Sequence, residues 1–203
     1  NVPSIFQPLV GNTGIQFCLA VRDPNGNTTD GIIRKQTSTT SFSTNDAIKY
    51  DAQGGDNAWP ASSYLNIWVG NLGGGLLGYA QFPGGTAATD GVVVLYSSLP
   101  GGSAVPYNKG RTATHEVGHY LNLRHIWGDG RCRQDDFVAD TPSSDGPNYG
   151  CPSYPTVNCK STDMTMNYMD YVYDNSMYMF SNGQNDRMRT IFSAGGSRES
   201  FVQ

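Results

Sequence analysis

His115-Glu116-Val117-Gly118-His119-Tyr120-Leu121-Asn122-Leu123-Arg124-His125 holds every histidine of this 203-residue chain. On a helix His115 and His119 stand at i and i+4, so both imidazoles leave one face and reach toward one ion. Glu116 lies beside them, placed to handle a proton without being a ligand itself. His125 joins only if the helix stops and the chain doubles back. That requires a stop near Asn122, and Asn is one of the few non-glycine residues that visit the left-handed region at tolerable cost. Three neutral nitrogen ligands leave a fourth position open, which is the pattern of a catalytic rather than a structural Zn2+. An isolated HExxH arises by chance. The confinement of all three histidines to eleven residues argues against unrelated surface or core roles.

The length fits one compact domain able to bury most of its apolar surface. Charged residues make up 15%, with 25 glycines, against a typical charged share of about 25%. That composition suits a loop-rich secreted protein. A net charge of -4 offers no basic field for nucleic acid. No apolar run approaches membrane-spanning length, and Val92-Val93-Val94-Leu95 is only strand-sized. No signal peptide is visible and Asn1 is not a translation start, so a processed or excised chain is expected. Cys18, Cys132, Cys151 and Cys159 lack the CxxC spacing of a zinc ribbon and read as disulfide cysteines of an oxidising compartment. Four cysteines allow three full pairings, and spacing alone does not choose among them.

Along the chain, Gly14 to Arg22 reads as a strand ending at the turn Asp23-Pro24-Asn25-Gly26. A short helix is expected near Thr44 to Tyr50, capped by Thr44 or Asn45. Tyr64 to Val69 reads as a buried strand, Tyr79 to Phe82 as a short one, and Gly91 to Ser97 as the clearest of all. Gly73-Gly74-Gly75 lacks the Lys-Ser or Lys-Thr and the helix of a phosphate loop, and reads as a turn. The metal-motif helix begins near Arg111. From Trp127 to about Asn167 turn residues dominate, and so long an irregular stretch calls for disulfides or a bound cation. Thr162 to Phe180 carries five of the six methionines, as core filler. Gln184 to Ser193 closes the chain as a helix with Met188, Ile191 and Phe192 inward.

With its long zinc motif and Met169 in Asn167-Tyr168-Met169-Asp170-Tyr171, the chain resembles a metzincin metalloprotease. More narrowly it resembles the small microbial members of the pappalysin family. Leu65 to Val69, Val138-Ala139-Asp140-Thr141-Pro142 and Gly150-Cys151-Pro152 carry the likeness further, from about residue 15 to the end. The resemblance implies an α+β, metzincin-like zincin. A mixed twisted sheet and the active-site helix would form the upper half, residues 1–125. An irregular half, residues 126–203, would hold the Met-turn and a C-terminal helix. The family also places a first strand and a long backing helix before the stretch resembling Gly14 to Arg22, and neither is seen here. Asn122 stands where the family usually has Gly.

The resemblance further implies a secreted, monomeric zinc endopeptidase acting on proteins or peptides. His115, His119 and His125 would be its ligands, Glu116 its general base and acid, and Met169 an apolar floor. Tyr171 would donate to the oxyanion. Asp174 would form the base of the S1′ pocket, favouring Arg or Lys after the cut. Asp136, Asp140, Thr141 and the Val138 carbonyl match a family Ca2+ site. Cys132 and Cys159 match a family disulfide. Cys151 matches another bridged cysteine whose partner position is Ser176, leaving Cys18 and Cys151 as a second pair or as free thiols. One rival differs in class, an inactive zinc-binding interaction module; another is a metallopeptidase of unrelated fold whose third ligand is a distant glutamate, leaving His125 dispensable.

Overall fold

A computed structural model describes residues 1–202. Its centre is a three-stranded sheet of β1 (Asn66–Gly70), β2 (Gly78–Ala80) and β3 (Gly91–Leu95), in the order β1-β3-β2. β1 runs parallel to β3 with Asn66 opposite Gly91, and β2 runs antiparallel with Gly78 opposite Val94. The valine run places β3 in the middle, since Val92, Val93 and Val94 are all 0% exposed and only a strand covered on both faces reads as continuously apolar. Val92 and Val94 face one core with Tyr120, Leu123, Trp127, Met169 and Met188, while Val93 faces another with Phe42, Ile48, Trp68 and Leu72.

The sheet supports α1 (Arg111–Tyr120), which enters from Gly110 in the left-handed region. Its far end closes with Asn122 at φ 75°. The amide of Leu123 donates to Gly118 O at 2.9 Å and that of Asn122 to His119 O at 2.9 Å, which is the Schellman arrangement. Arg187 Nε donates to Asn122 O at 2.7 Å, bracing the turn from the C-terminal helix. That helix, α2 (Asn182–Thr190), starts at a capping box formed by Ser181 and Gln184. It therefore begins two residues earlier than the apolar pattern suggested and releases Ile191 and Phe192 to the segment beyond. Buried Arg198 pairs with both carboxylate oxygens of Asp90 and donates to Tyr120 O, tying the end of the chain to the sheet and to α1.

The second half has only two-residue strands: β4 (Tyr149–Gly150), β5 (Val157–Asn158), β6 (Ser161–Thr162) and β7 (Tyr171–Val172). β4 and β7 pair in parallel, Tyr149 opposite Tyr171. Met164, Met166, Met169, Met177 and Met179 are all buried, the filler role expected of them. Cys132 and Cys159 form a disulfide.

Three expectations are corrected. Gly14 to Arg22 forms no strand beyond one bridge at Arg22, because no neighbour offers it a ladder. Phe17, Leu19 and Val21 stay exposed beside Ile67 and Val69 of β1, so β1 is half-covered rather than buried. These residues line an apolar cleft of about 1540 Å³. The helix near Thr44 shrinks to one turn, Ala47–Lys49, entered through left-handed Asp46. Of the two alternatives left open for Cys18 and Cys151, free thiols are what the structure has: both are exposed and unpaired, and Ser176 Oγ donates to Cys151 Sγ at 2.7 Å.

Candidate active site

His115 and His119 project from α1 as the i and i+4 spacing requires, and the turn at Asn122 returns His125 to meet them. His119 Nε2 lies 3.1 Å from His115 Nε2 and 3.1 Å from His125 Nε2. The other ring nitrogens are all taken by acceptors. His115 Nδ1 donates to Tyr168 O at 2.7 Å, His119 Nδ1 to Leu123 O at 2.8 Å, and His125 Nδ1 to Asp129 Oδ1. Since carbonyl and carboxylate oxygens only accept here, the protons sit on Nδ1 and the three Nε2 lone pairs face one another. Burial lowers all three pKa values, His115 well below the ordinary range and His119 to about 4. Three neutral lone pairs that converge repel unless a cation lies between them. Tetrahedral zinc with bonds of about 2.0–2.1 Å sets its nitrogens about 3.3 Å apart, so the donor set fits.

Glu116 is buried, and burial raises its carboxyl to about 8. A Cβ at Gly78 would lie 2.9 Å from Glu116 Cγ and 3.1 Å from Glu116 Oε1, so β2 passes directly over this side chain. Met169 is fully buried beneath α1, and a Cβ at Gly118 would collide with its sulfur. The Tyr171 ring packs 5.6 Å from His115 and 4.9 Å from His125. Burial first, then the charge of Glu116, pushes its hydroxyl up to about 12, so it keeps its proton.

The three histidines, Glu116 and Tyr171 line one cavity of about 560 Å³ together with Tyr79, Phe82, Tyr107, Thr112, Asp174 and Met177. It shares no lining residue with the larger apolar cleft. Asp174 is buried. Its Oδ2 accepts from the amides of Lys109 (2.7 Å) and Arg111 (3.3 Å), while Oδ1 has no protein partner.

The four residues expected to gather as a calcium site divide. Thr141 Oγ1 lies 2.9 and 2.8 Å from the two carboxylate oxygens of Asp136 and 2.7 Å from Val138 O. Burial pushes Asp136 up to about 6. The Asp140 carboxylate is committed elsewhere, to Ser181 Oγ at 2.6 Å and the Gly183 amide at 2.8 Å, at the start of α2. Sequence reasoning also missed Asp129 and Trp127, which hold His125, and Phe82, whose ring lies 5.3 Å from His119. An acid four residues after the last histidine was the one available signal.

Residues 48–193 match the model of the peptidase M43 family, described as pregnancy-associated plasma protein-A. The chain belongs to this family. Among solved structures, mature mirolysin of Tannerella forsythia in complex with a cleaved peptide superposes on this M43 chain with a TM-score of 0.95. The two are 53% identical, covering 98% of this chain and 79% of that one. Extracellular metalloprotease 1 of Coccidioides posadasii (strain C735) is 42% identical over 135 residues, 63% of this chain and 49% of its own length. An extracellular metalloprotease of Arthroderma benhamiae (strain ATCC MYA-4681 / CBS 112371) is 43% identical over 150 residues, 67% of this chain and 51% of its own. The M43 chain thus spans about half the length of these two relatives. Among the described residues no helix is long and apolar enough to cross a membrane.

Proposed function

We propose that this chain is the catalytic domain of a secreted, zinc-dependent endopeptidase that acts as a monomer on peptides and proteins. The observation that carries the reading is the convergence of three lone-pair nitrogens beside buried Glu116 in one open cavity. Zinc held by His115, His119 and His125 would supply a Lewis acid that acidifies water and polarises a carbonyl. Glu116 takes the proton of the attacking water on a carboxylate oxygen and passes it to the nitrogen of the leaving amine. A cation nearby favours the carboxylate, which returns Glu116 from a protonated buried acid to a working base. The Tyr171 hydroxyl, protonated at neutral pH, donates to the oxygen of the scissile carbonyl as it becomes anionic.

β2 is the edge strand beside the cavity, and an extended substrate adds to it by main-chain hydrogen bonds. Asp174, with one buried oxygen left unpartnered, forms a charge-assisted pair with Arg or Lys after the cut. Met169 serves as the Met-turn floor under the imidazoles. Asp136, Thr141 and the Val138 carbonyl bind calcium, without the carboxylate of Asp140. Residues 1–125 and 126–203 act as the two halves of one domain, and the apolar cleft along β1 is where the family's first strand and backing helix would pack. The extracellular relatives support secretion.

One experiment tests the reading: a peptide-library digest with native, chelated and metal-restored protein and with Glu116→Ala. Cleavage before Arg or Lys is expected, lost on chelation and reduced by about 10²–10⁴ in Glu116→Ala while zinc stays bound. Leu or Phe preferred after the cut would remove the role of Asp174. Full recovery of activity and stability on zinc alone would remove calcium. Zinc binding without any cleavage would favour the interaction module.

A further inference from the structure

His115 and His119 are placed by regular structure. Their Cα atoms ride on α1, and both Nδ1 atoms end on backbone carbonyls, Tyr168 O and Leu123 O. His125 has neither advantage. It follows the left-handed turn at Asn122, outside any helix, and its Nδ1 meets a side chain, the carboxylate of Asp129. The loop that presents this carboxylate is sharply bent. Gly128 donates to His125 O at 2.9 Å, and Gly128 and Asp129 are consecutive left-handed residues at φ 63° and φ 60°. A Cβ at Gly128 would lie 2.6 Å from the Asp135 amide, so the bend is fixed by packing. Non-glycine residues held in this region are strained, and such strain persists where the surroundings over-determine it. Trp127 stacks on the same ring, with centroids 4.3 Å apart and planes 5° from parallel. His125 is thus clamped by a carboxylate at its edge and an indole on its face.

We propose that Asp129 is a positioning residue of the metal centre. It holds the proton of His125 on Nδ1, so that Nε2 presents its lone pair, and fixes the ring plane that the helix fixes for the other two ligands. The proposal rests on the zinc reading of the three histidines. It assigns part of the metal affinity to a residue that does not touch the metal.

The test is the zinc dissociation constant, measured by chelator competition on the full 203-residue chain, beside the melting temperature of the metal-free protein. Asp129→Gly deletes the carboxylate while favouring the left-handed backbone. Asp129→Asn keeps an acceptor oxygen and tolerates the same backbone. Zinc affinity is expected to fall about 10–100-fold in Asp129→Gly and less in Asp129→Asn, with the metal-free melting temperature unchanged in both. Wild-type affinity in Asp129→Gly would overturn the proposal. So would a weakened affinity accompanied by an equal loss of metal-free stability, which would mark Asp129 as a loop residue only. A wild-type chain that fails to bind zinc would instead overturn the reading of the centre itself.

Discussion

Gly118 lies in the last turn of α1 (Arg111–Tyr120), where alanine is ordinarily better by up to about 1 kcal/mol. Here an added Cβ runs into the sulfur of fully buried Met169. Overpacking of this kind costs about 1–3 kcal/mol, so the collision outweighs the gain in helix propensity. Gly118→Ala is expected to destabilise the metal-free protein by up to about 2 kcal/mol. With Met169→Ala in place the obstacle is gone, and the same change becomes stabilising by up to about 1 kcal/mol. Urea unfolding of the four proteins of this cycle decides it, and strict additivity would mean the two residues do not meet. At this scale the three histidines and Glu116 were legible, because helical spacing alone aims two of them. That the glycine between them makes room for a methionine 51 positions later has no local signature, since it exists only once the second half has folded under α1.

Among elements, the end of α1 matters most, since it carries the chain from His115 and His119 to His125, the third of the proposed ligands. For most residues the left-handed backbone costs about 1–2 kcal/mol, and Asn bears it better. Asn122→Ala should therefore lower the melting temperature and weaken zinc binding together, by about 1 kcal/mol in stability. Asn122→Gly should leave both unchanged or improved. Thermal unfolding with and without zinc checks this, and an alanine variant as stable as wild type would mean the turn finds another conformation. This turn was readable in advance because it has one letter that permits it. Gly14 to Arg22 was misread for the opposite reason: alternation and strand formers describe a strand's faces, but a strand exists only through the ladder of a neighbour. The strand expected over Gly91 to Ser97 is present because its run of β-branched valines suits a covered strand, but it ends at Leu95, and Tyr96–Ser98 turns away as a 3-10 turn.

At the scale of the whole molecule, the second half holds together without long ladders. The sequence signalled that problem through its turn residues, and it offered a disulfide and a cation as staples. Besides the disulfide, a buried polar network that composition does not reveal also staples this half. Asp170 is 0% exposed; its Oδ1 accepts from the amides of Asn148 (2.8 Å) and Tyr171 (2.8 Å), and its Oδ2 from Asn148 Nδ2 (2.9 Å). Asn148 also reaches buried Asp163, whose Oδ2 takes Asn158 Nδ2 at 2.7 Å. One carboxylate therefore joins the irregular segment before β4 to the stretch from Met169 to Tyr171 beside the histidines. Burial is the largest cause that raises the Asp170 carboxyl from 3.8 to about 6. A carboxyl raised on folding contributes stability that is fully present below about pH 4 and lost as pH rises through about 6. Asparagine does not titrate, so the stability of wild type relative to Asp170→Asn should fall by on the order of 3 kcal/mol from pH 4 to pH 7. Measuring both proteins by denaturant unfolding across that window cancels the histidines and the metal, which change equally in each. A difference that stays constant with pH would mean that the three donors around Asp170 compensate its charge fully, and that the network is indifferent to protonation.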